Sequence, residues 1–522
     1  MLSKLTKQKT DYDDKSHVAI FGAGISGLKA AHECIKKGLR VSLFEARSQP
    51  GGKCIGFMNS GLPYELTHRQ MFSSNPIFLN TLKEISTYKG SNLIYQIEPL
   101  PKAQFVWAQS GRTVNFSQKH FNFLTESVYN LKSAWSMFID GVPVSDIYWF
   151  RNRLTQKKIK KRDLDSPISR YLEYDYRPLL ASFLRRVLSS WIAATDNTRT
   201  GDIIQLLMNK KITPTPLSPN SYSITLNGPI NESLINPWYL YLKSKGVNFH
   251  FNSSLKDIDY QNSECKYAVL ENQEVINADF FIIATPPNQT LDILPELKPL
   301  VKVESIKSHG FQLHLKEIPP KLKNKSIGII IDSPWGLSYK IYYSGKYNNT
   351  IFSKNIKATV SITATKMEKS KGILFNKPLL ECNEQEIHKE ILAQMGLSSP
   401  ELQPFFLTSI KSGPGALIMN KEKINNHKYK NWFKGPKIIN SKGVPAHWLI
   451  QNQLENPTYS NKIFTNSCSA SNIFITGEWL NHRQQKWTVP STMERSMENA
   501  ELCVNDILTE IEKTKKSCLC HI

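Results

Sequence analysis

The chain has 522 residues, a hydrophobic fraction of 40% and a formal net charge of +22. That length exceeds one average core, so two successive or intertwined domains are expected. The charge suits an anionic partner such as a phospholipid surface, or reflects a lysine- and asparagine-rich composition without specific meaning; no nucleic-acid motif accompanies it, so no nucleic-acid partner is expected.

Residues 1–15 are polar, lack the apolar core of a secretory signal and read as a disordered lead-in. The apolar run Val18 to Phe21 then predicts a buried parallel strand, closed by Gly22-Ala23-Gly24-Ile25-Ser26-Gly27, a G-x-G-x-x-G. The first glycine makes a tight turn, the second clears space for a pyrophosphate against the backbone, and the third lets the next helix pack on the strand. That helix starts near Ser26, carries Leu28, Ala31, Ile35 and Leu39 at helical spacing, and stops at Gly38. A second strand, Arg40 to Phe44, delivers Glu45, 18 residues after Gly27, which is close to the spacing of an acid that hydrogen-bonds an adenosine ribose and repels a 2′-phosphate.

This unit leaves NAD and FAD open, since both present the same ADP half. Glu45-Ala46-Arg47 followed by Gly51, Gly52 and Lys53 adds a second glycine pair with flanking cations. Such a loop suits a dinucleotide whose phosphates and ribityl chain continue past the first helix.

Residues 76–224 are rich in aromatics, among them Phe105, Trp107, Phe116, Phe121, Phe123, Trp135, Tyr148, Trp149 and Phe150. Most are expected in the core, with an apolar substrate cavity as the sharper reading. The basic run at 156–162 reads as a solvated helix face, or as contact with an anionic membrane. From Leu226 the pattern gives a turn, a helix stopped at Gly246, a strand from Val247 to Phe251, Leu255, and a buried parallel-type strand ending at Pro286-Pro287. Between 288 and 445, segments such as Phe311 to Leu315, Ile327 to Ile331, Leu337 to Tyr343 and Ala358 to Ala364 are partly period-two and predict a sheet, with Glu384 to Met395 as a helix against it.

The closing constellation is Ile473 to Ala500. A short strand leads to Gly477, which permits close backbone approach, and to Glu478, an acceptor for ribityl or pyrophosphate-linked hydroxyls. Pro490-Ser491-Thr492 is a helix start, with Glu494 completing a capping box on Ser491. Eight scattered cysteines fit a reduced, cytosolic chain. Cys518 and Cys520 lie in a basic tail, 513–522, without a prenylation pattern. No apolar run is long enough to span a membrane, which leaves peripheral attachment open.

The extended N-terminal unit, the return near Leu255 and the G-E and P-S-T-M-E ending resemble the FAD-dependent amine oxidase and phytoene desaturase superfamily. The resemblance implies an α/β fold, with a discontinuous Rossmann-like FAD-binding domain (16–75, 225–290 and 446–512) and an inserted α+β substrate domain (76–224 and 291–445). It implies FAD as cofactor, Leu255 facing the adenine through its backbone, and Met493 contacting the flavin. Within the superfamily the chain is more similar to phytoene desaturases and squalene-pathway dehydroxylases. Hydride transfer from the carbon of an apolar isoprenoid or carotenoid-type substrate to flavin N5 is therefore implied. An amine oxidase is the alternative, with Trp479 and Trp487 expected as core residues and cavity walls as the sharper reading, and a noncatalytic FAD-stabilised scaffold at anionic surfaces is another. No metal site or nucleophilic triad is expected, and no catalytic residue is assigned. Two departures stand out: Leu66 and Thr67 follow Glu65 where the family has a glycine, so no flavin contact is carried to His68 or Arg69, and the bulky run Arg495, Ser496, Met497, Glu498, Asn499 replaces small residues.

Overall fold

The computed structural model describes residues 16–59, 61–72, 75–87, 90–99, 103–115, 134–154, 159–164, 166–201, 203–204, 223–261, 264–300, 303–344, 355–412, 447–452, 471–480 and 493–519. The lead-in, Phe116, Phe121, Phe123, the basic run at 156–158, Cys468, Trp487, Pro490 to Thr492 and Cys520 lie outside these. In chain order, the elements that position the site are β1 (His17–Phe21), α1 (Ile25–Lys36), β2 (Arg40–Glu45), β3 (Gly56–Asn59), β4 (Leu62–Glu65), α2 (Pro76–Glu84), β5 (Ala103–Trp107), β6 (Arg112–Asn115), α3 (Pro178–Ile192), β7 (Asn248–Phe251), β8 (Phe280–Ile283), β9 (Val303–Leu315), β10 (Ile327–Ile330), β11 (Ser338–Tyr343), β12 (Ala358–Ala364), α4 (Glu384–Gln394), β13 (Ile473–Ile475) and α5 (Met493–Leu519).

The first domain is built on a parallel sheet in the order β7-β2-β1-β8-β13. Its strands are apolar on both faces because both are covered. Val18 and Ile20 of β1 pack in a cluster with Leu28 and Ala31 of α1 and with Met497, Ala500 and Val504 of α5. Ala19 and Phe21 face the opposite way, against Ile258, Ala268 and Leu270 of an antiparallel meander.

Two expected boundaries differ. Residue 76 does not open the second domain, because Phe78 and Leu82 of α2 and Leu93 beyond it are buried in the first core. Lys29 explains the attachment: buried in α1, its ammonium reaches Glu33 at 2.7 Å, Thr81 of α2 at 2.8 Å and Glu501 of α5 at 2.7 Å. Nor does the third piece return to the first domain at 446. His447–Asn452 pairs antiparallel with Val303–Ser308 of β9, so this segment extends the second domain and the return to the first sheet comes at β13.

The second domain is a mixed sheet whose central order is β9-β12-β11-β10-β5-β6, antiparallel except between β10 and β5. Phe311, Leu313 and Leu315 of β9, Tyr339 and Ile341 of β11, and Val360 and Ile362 of β12 bury one face with Ile387 and Ile391 of α4. The period-two pattern thus gives the expected strands, and α4 starts at a capping box between Asn383 and Glu386. Leu180, Phe183, Leu184 and Val187 of α3 form a further core with Trp107, Phe150 and Ile329. Trp107 and Phe150 are therefore core residues, whereas Trp135 and Tyr148 are exposed.

Candidate dinucleotide-binding site

The turn after β1 shows why its three glycines differ. Gly22 has φ +109°, and a Cβ on it would lie 2.7 Å from the Ala284 carbonyl oxygen; on Gly27 a Cβ would lie 1.8 Å from the Gly22 carbonyl oxygen. These two set the turn and the contact of α1 with β1. A Cβ on Gly24 would meet only the Gly52 Cα, at 3.7 Å, so Gly24 keeps open a cradle between the two glycine turns. Ile25 and Ser26 form the first turn of α1, where unpaired helix N–H groups and the dipole favour an anion.

Glu45, buried at the end of β2, accepts from the Ala23 N–H at 2.7 Å and from the Arg47 N–H at 3.0 Å. The carboxylate orders the turn and, with about four lone-pair sites, still has capacity for ribose hydroxyls. Ala46 is exposed beside it. The Gly51 N–H donates to the Ala23 carbonyl at 2.9 Å and the Arg47 guanidinium to the Gly52 carbonyl at 3.0 Å. Asn252 and Ser253 donate to the carbonyls of Arg47 and Glu45, at 3.0 and 2.8 Å, which runs the backbone leading to Leu255 alongside the end of β2.

The far end of the phosphate loop meets the closing constellation. Lys53 forms an ion pair with Glu478, so Glu478 is a salt-bridged acceptor rather than a lone one. The Cys54 sulfur lies 3.7 Å from that of Met493. Gly24, Gly52, Lys53, Glu478 and Met493, widely separated in sequence, thus surround one region.

The bulky run in α5 has a definite role. Arg495, buried, donates from Nε and Nη2 to the Leu480 carbonyl at 3.0 and 2.7 Å, and Asn499 donates to the carbonyls of Gly477 and Leu480 at 2.6 and 3.0 Å. These side chains clamp the Gly477–Leu480 turn to the helix. Ser491, the partner of the expected capping box, lies outside the described residues; the Glu494 carboxylate accepts from Ile77 N–H at 2.9 Å and Phe78 N–H at 2.8 Å and so caps α2. Burial pushes its pKa up to about 7; the two amides oppose this, and Glu498 and Glu501 add to it.

Sequence reasoning set Arg69 aside, yet it donates to the Lys53 carbonyl and to Thr67 Oγ1. No local pattern marks it, because the contact joins the phosphate loop to a segment 16 residues away. The segment from Glu65 to Arg69 also touches the second sheet: Tyr342 donates to Glu65 Oε1 at 2.9 Å, and Thr363 Oγ1 lies 3.2 Å from His68 Nδ1. Burial, with Arg69 and Lys340 nearby, lowers the His68 pKa to about 3, so the ring is neutral.

Fold and site together define a two-domain α/β protein with a Rossmann-like dinucleotide-binding domain. The family described as NAD(P)-binding Rossmann-like domain matches residues 20–85. Protoporphyrinogen oxidase 2 of Arabidopsis thaliana is 26% identical over 123 residues, 24% of this chain and 23% of that protein. Hydroxysqualene dehydroxylase of Sinorhizobium fredii is 38% identical over 76 residues, 14% of this chain and 18% of that protein. The chain thus spans less than a quarter of the length of these curated relatives. A solved structure of a putrescine oxidase redesigned in its cofactor binding is similar in fold, with a TM-score of 0.59 at 13% identity, covering 95% of this chain and 99% of that one. The expected two-domain α/β fold and its Rossmann-like dinucleotide-binding unit are borne out.

Proposed function

We propose that the chain is an FAD-dependent oxidoreductase. The observation that carries this reading is the cradle left by Gly24 against Gly52, with Glu45 at one end and the Lys53–Glu478 pair and Met493 at the other. Two glycine turns, an adjacent helix N-terminus and a second set of contacts beyond the first helix fit a dinucleotide longer than ADP alone. Bound there, FAD would accept a hydride from a substrate carbon at N5. The chain's own residues orient it: Glu45 and the amides of α1 hold the adenosine and phosphate end, Lys53 supplies a cation, and the Arg495–Asn499 clamp fixes the turn that carries Glu478.

Likeness to hydroxysqualene dehydroxylase supports the expected isoprenoid substrate, and the putrescine oxidase fold supports an amine. Against a bare hydrocarbon weighs the polar face that the second sheet turns toward the segment Glu65 to Arg69. Peripheral contact with an anionic bilayer is supported by exposed Trp135, Phe138, Ile139, Val144 and Tyr148 beside exposed Arg151 and Arg162. Salt-sensitive co-sedimentation with phosphatidylserine vesicles is expected, and its absence refutes that contact.

The absorbance spectrum of purified protein tests the cofactor. Bound or reconstitutable flavin is expected, with Gly24→Val filling the cradle and Glu478→Ala releasing Lys53, each lowering flavin retention. Protein that folds but never takes up flavin, or full retention in both variants, refutes the reading.

A further inference from the structure

Strands β12, β10 and β5 run in one direction, since β11 lies antiparallel between β12 and β10, and β10 pairs parallel with β5. Their last residues, Ala364, Ile330 and Trp107, therefore leave the second sheet at the same end. Two exposed apolar tips are rooted there.

The first is the helical turn 134–139, tied to the sheet by Asp140, which accepts from Trp107 Nε1 and Arg112 Nη2 at 2.9 Å each. Trp135 and Phe138 stack with ring centroids 5.7 Å apart, and both are exposed, as is Ile139. The second tip follows β12. The Gly372 N–H donates to the Lys377 carbonyl at 2.9 Å, closing a loop that carries Ile373 and Leu374, 43% and 54% exposed. The Glu390 carboxylate, wholly buried on α4, accepts from the Ile373, Leu374 and Phe375 N–H groups at 2.5, 2.9 and 3.1 Å. Gln394 joins Glu390, at 2.9 Å, to Ser333 in the turn after β10, at 2.6 Å, which holds this tip at the same end of the sheet. A buried charge committed to three amides fixes the loop, so its two aliphatic side chains are presented without further ordering cost.

Cations join the roots of the tips. Residues 366–377 hold Lys366, Lys369, Lys371 and Lys377 against Glu368 alone. Lys377 pairs with Glu386 at 2.6 Å, whereas Lys369 and Lys371 are exposed and form no ion pair among the described residues. Lys366 is half-buried, its stem against Gly336. Burial and the charges of Arg186 and Arg185 lower its pKa, against a smaller opposing effect of Asp196. Both guanidinium groups are already engaged: Arg185 reaches Asp196 through Nε and Nη2 at 2.9 and 2.7 Å, and Arg186 reaches Asp140 at 2.5 Å. Lys366 has no carboxylate partner of its own among the described residues, so this ground is left positive.

We propose that this end of the second sheet docks on an anionic phospholipid bilayer, with Ile373 and Leu374 entering the acyl boundary and lipid phosphates meeting Lys366, Lys369 and Lys371. It rests on the bilayer contact proposed above for Trp135 to Tyr148, and adds a second, rigid point that fixes how the protein lies on the surface. Insertion of the aliphatic pair and pairing of the lysines with headgroups act together there. A nucleic acid satisfies the cations but leaves both aliphatic side chains in water. A bilayer takes both.

Co-sedimentation of the full chain with phosphatidylcholine vesicles, with and without phosphatidylserine, tests it. Binding is expected only with phosphatidylserine, and Ile373→Ser with Leu374→Ser weakens it about tenfold or more. Lys366→Gln weakens it about fivefold. Should Lys366→Gln fail to fold, Lys369→Gln with Lys371→Gln, both exposed, takes its place with a loss of about tenfold or more. Leu374→Trp gives a direct readout, in which brominated acyl chains quench its emission beyond that of the parental tryptophans. Parental binding by the tip and lysine variants, no added quenching in Leu374→Trp, or tighter binding of poly(U) RNA than of vesicles at matched phosphate overturns the inference. Trp135→Ser with Phe138→Ser separates the two contacts. Binding lost in that variant but kept in the Ile373 and Leu374 variant overturns this inference alone. The reverse pattern overturns only the share of Trp135 and Phe138, and no vesicle binding by the parent overturns both.

Discussion

Glu494→Ala probes the joint between the last helix and α2, next to the Met493 position. The Glu494 carboxylate is the acceptor for the Ile77 and Phe78 N–H groups, at 2.9 and 2.8 Å. Alanine leaves both amides unpaired at a half-buried helix start, at a cost of about 1–3 kcal/mol each before partial relief by water, so about 2–4 kcal/mol in all. Charge adds a pH dependence. The pKa rises from an ordinary 4.5 to about 7 on folding, so the folded state holds this proton more tightly than the unfolded chain. The stability it contributes is fully present below 4.5 and is lost as pH rises through about 7, amounting to at most about 3 kcal/mol. Glu494→Gln keeps a carbonyl acceptor and cannot ionise, so it flattens this part of the pH profile. Urea unfolding at about pH 6 and about pH 8 measures both effects. Glu494→Ala within about 0.5 kcal/mol of the parent at about pH 6, or an unchanged pH slope in Glu494→Gln, refutes the reasoning.

Gly27→Ala places a Cβ 1.8 Å from a backbone oxygen of the preceding turn, so α1 must move off β1. A loss of about 3 kcal/mol or more, read as a fall in urea midpoint, is expected, and parental stability contradicts the close packing. Arg495→Met removes both donors to the Leu480 carbonyl and a buried cation. A destabilisation of about 2–4 kcal/mol is expected by the same measurement, together with faster proteolysis at the Gly477–Leu480 turn. A protease-resistant turn in the variant contradicts the clamp.

The unit from His17 to Lys53 was legible in the sequence because its determinants are local. Apolar runs set the strands, glycine spacing sets the turn, and helical period sets α1, so β1, α1 and β2 lie where the pattern predicts them. The alternation in β9, β11 and β12 was equally legible as strand. Its polar half was not: alternating Gln312, His314, Lys340, Tyr342, Thr359 and Ser361 reads as a solvent face, and only the overlying segment from Tyr64 to Arg69 makes it a buried one. Glu494 shows the same limit. A Ser-x-x-Glu pattern points to a cap on its own helix and gives no sign that the carboxylate reaches two amides of α2, brought there by the packing of α1, α2 and α5 around Lys29. Sequence alone thus determined where the backbone turns and which stretch receives a dinucleotide, since period and glycine spacing act over a few residues. Tertiary structure decided which distant side chains satisfy which buried groups, because the cost of an unpaired charge or amide depends on what the rest of the chain lays over it.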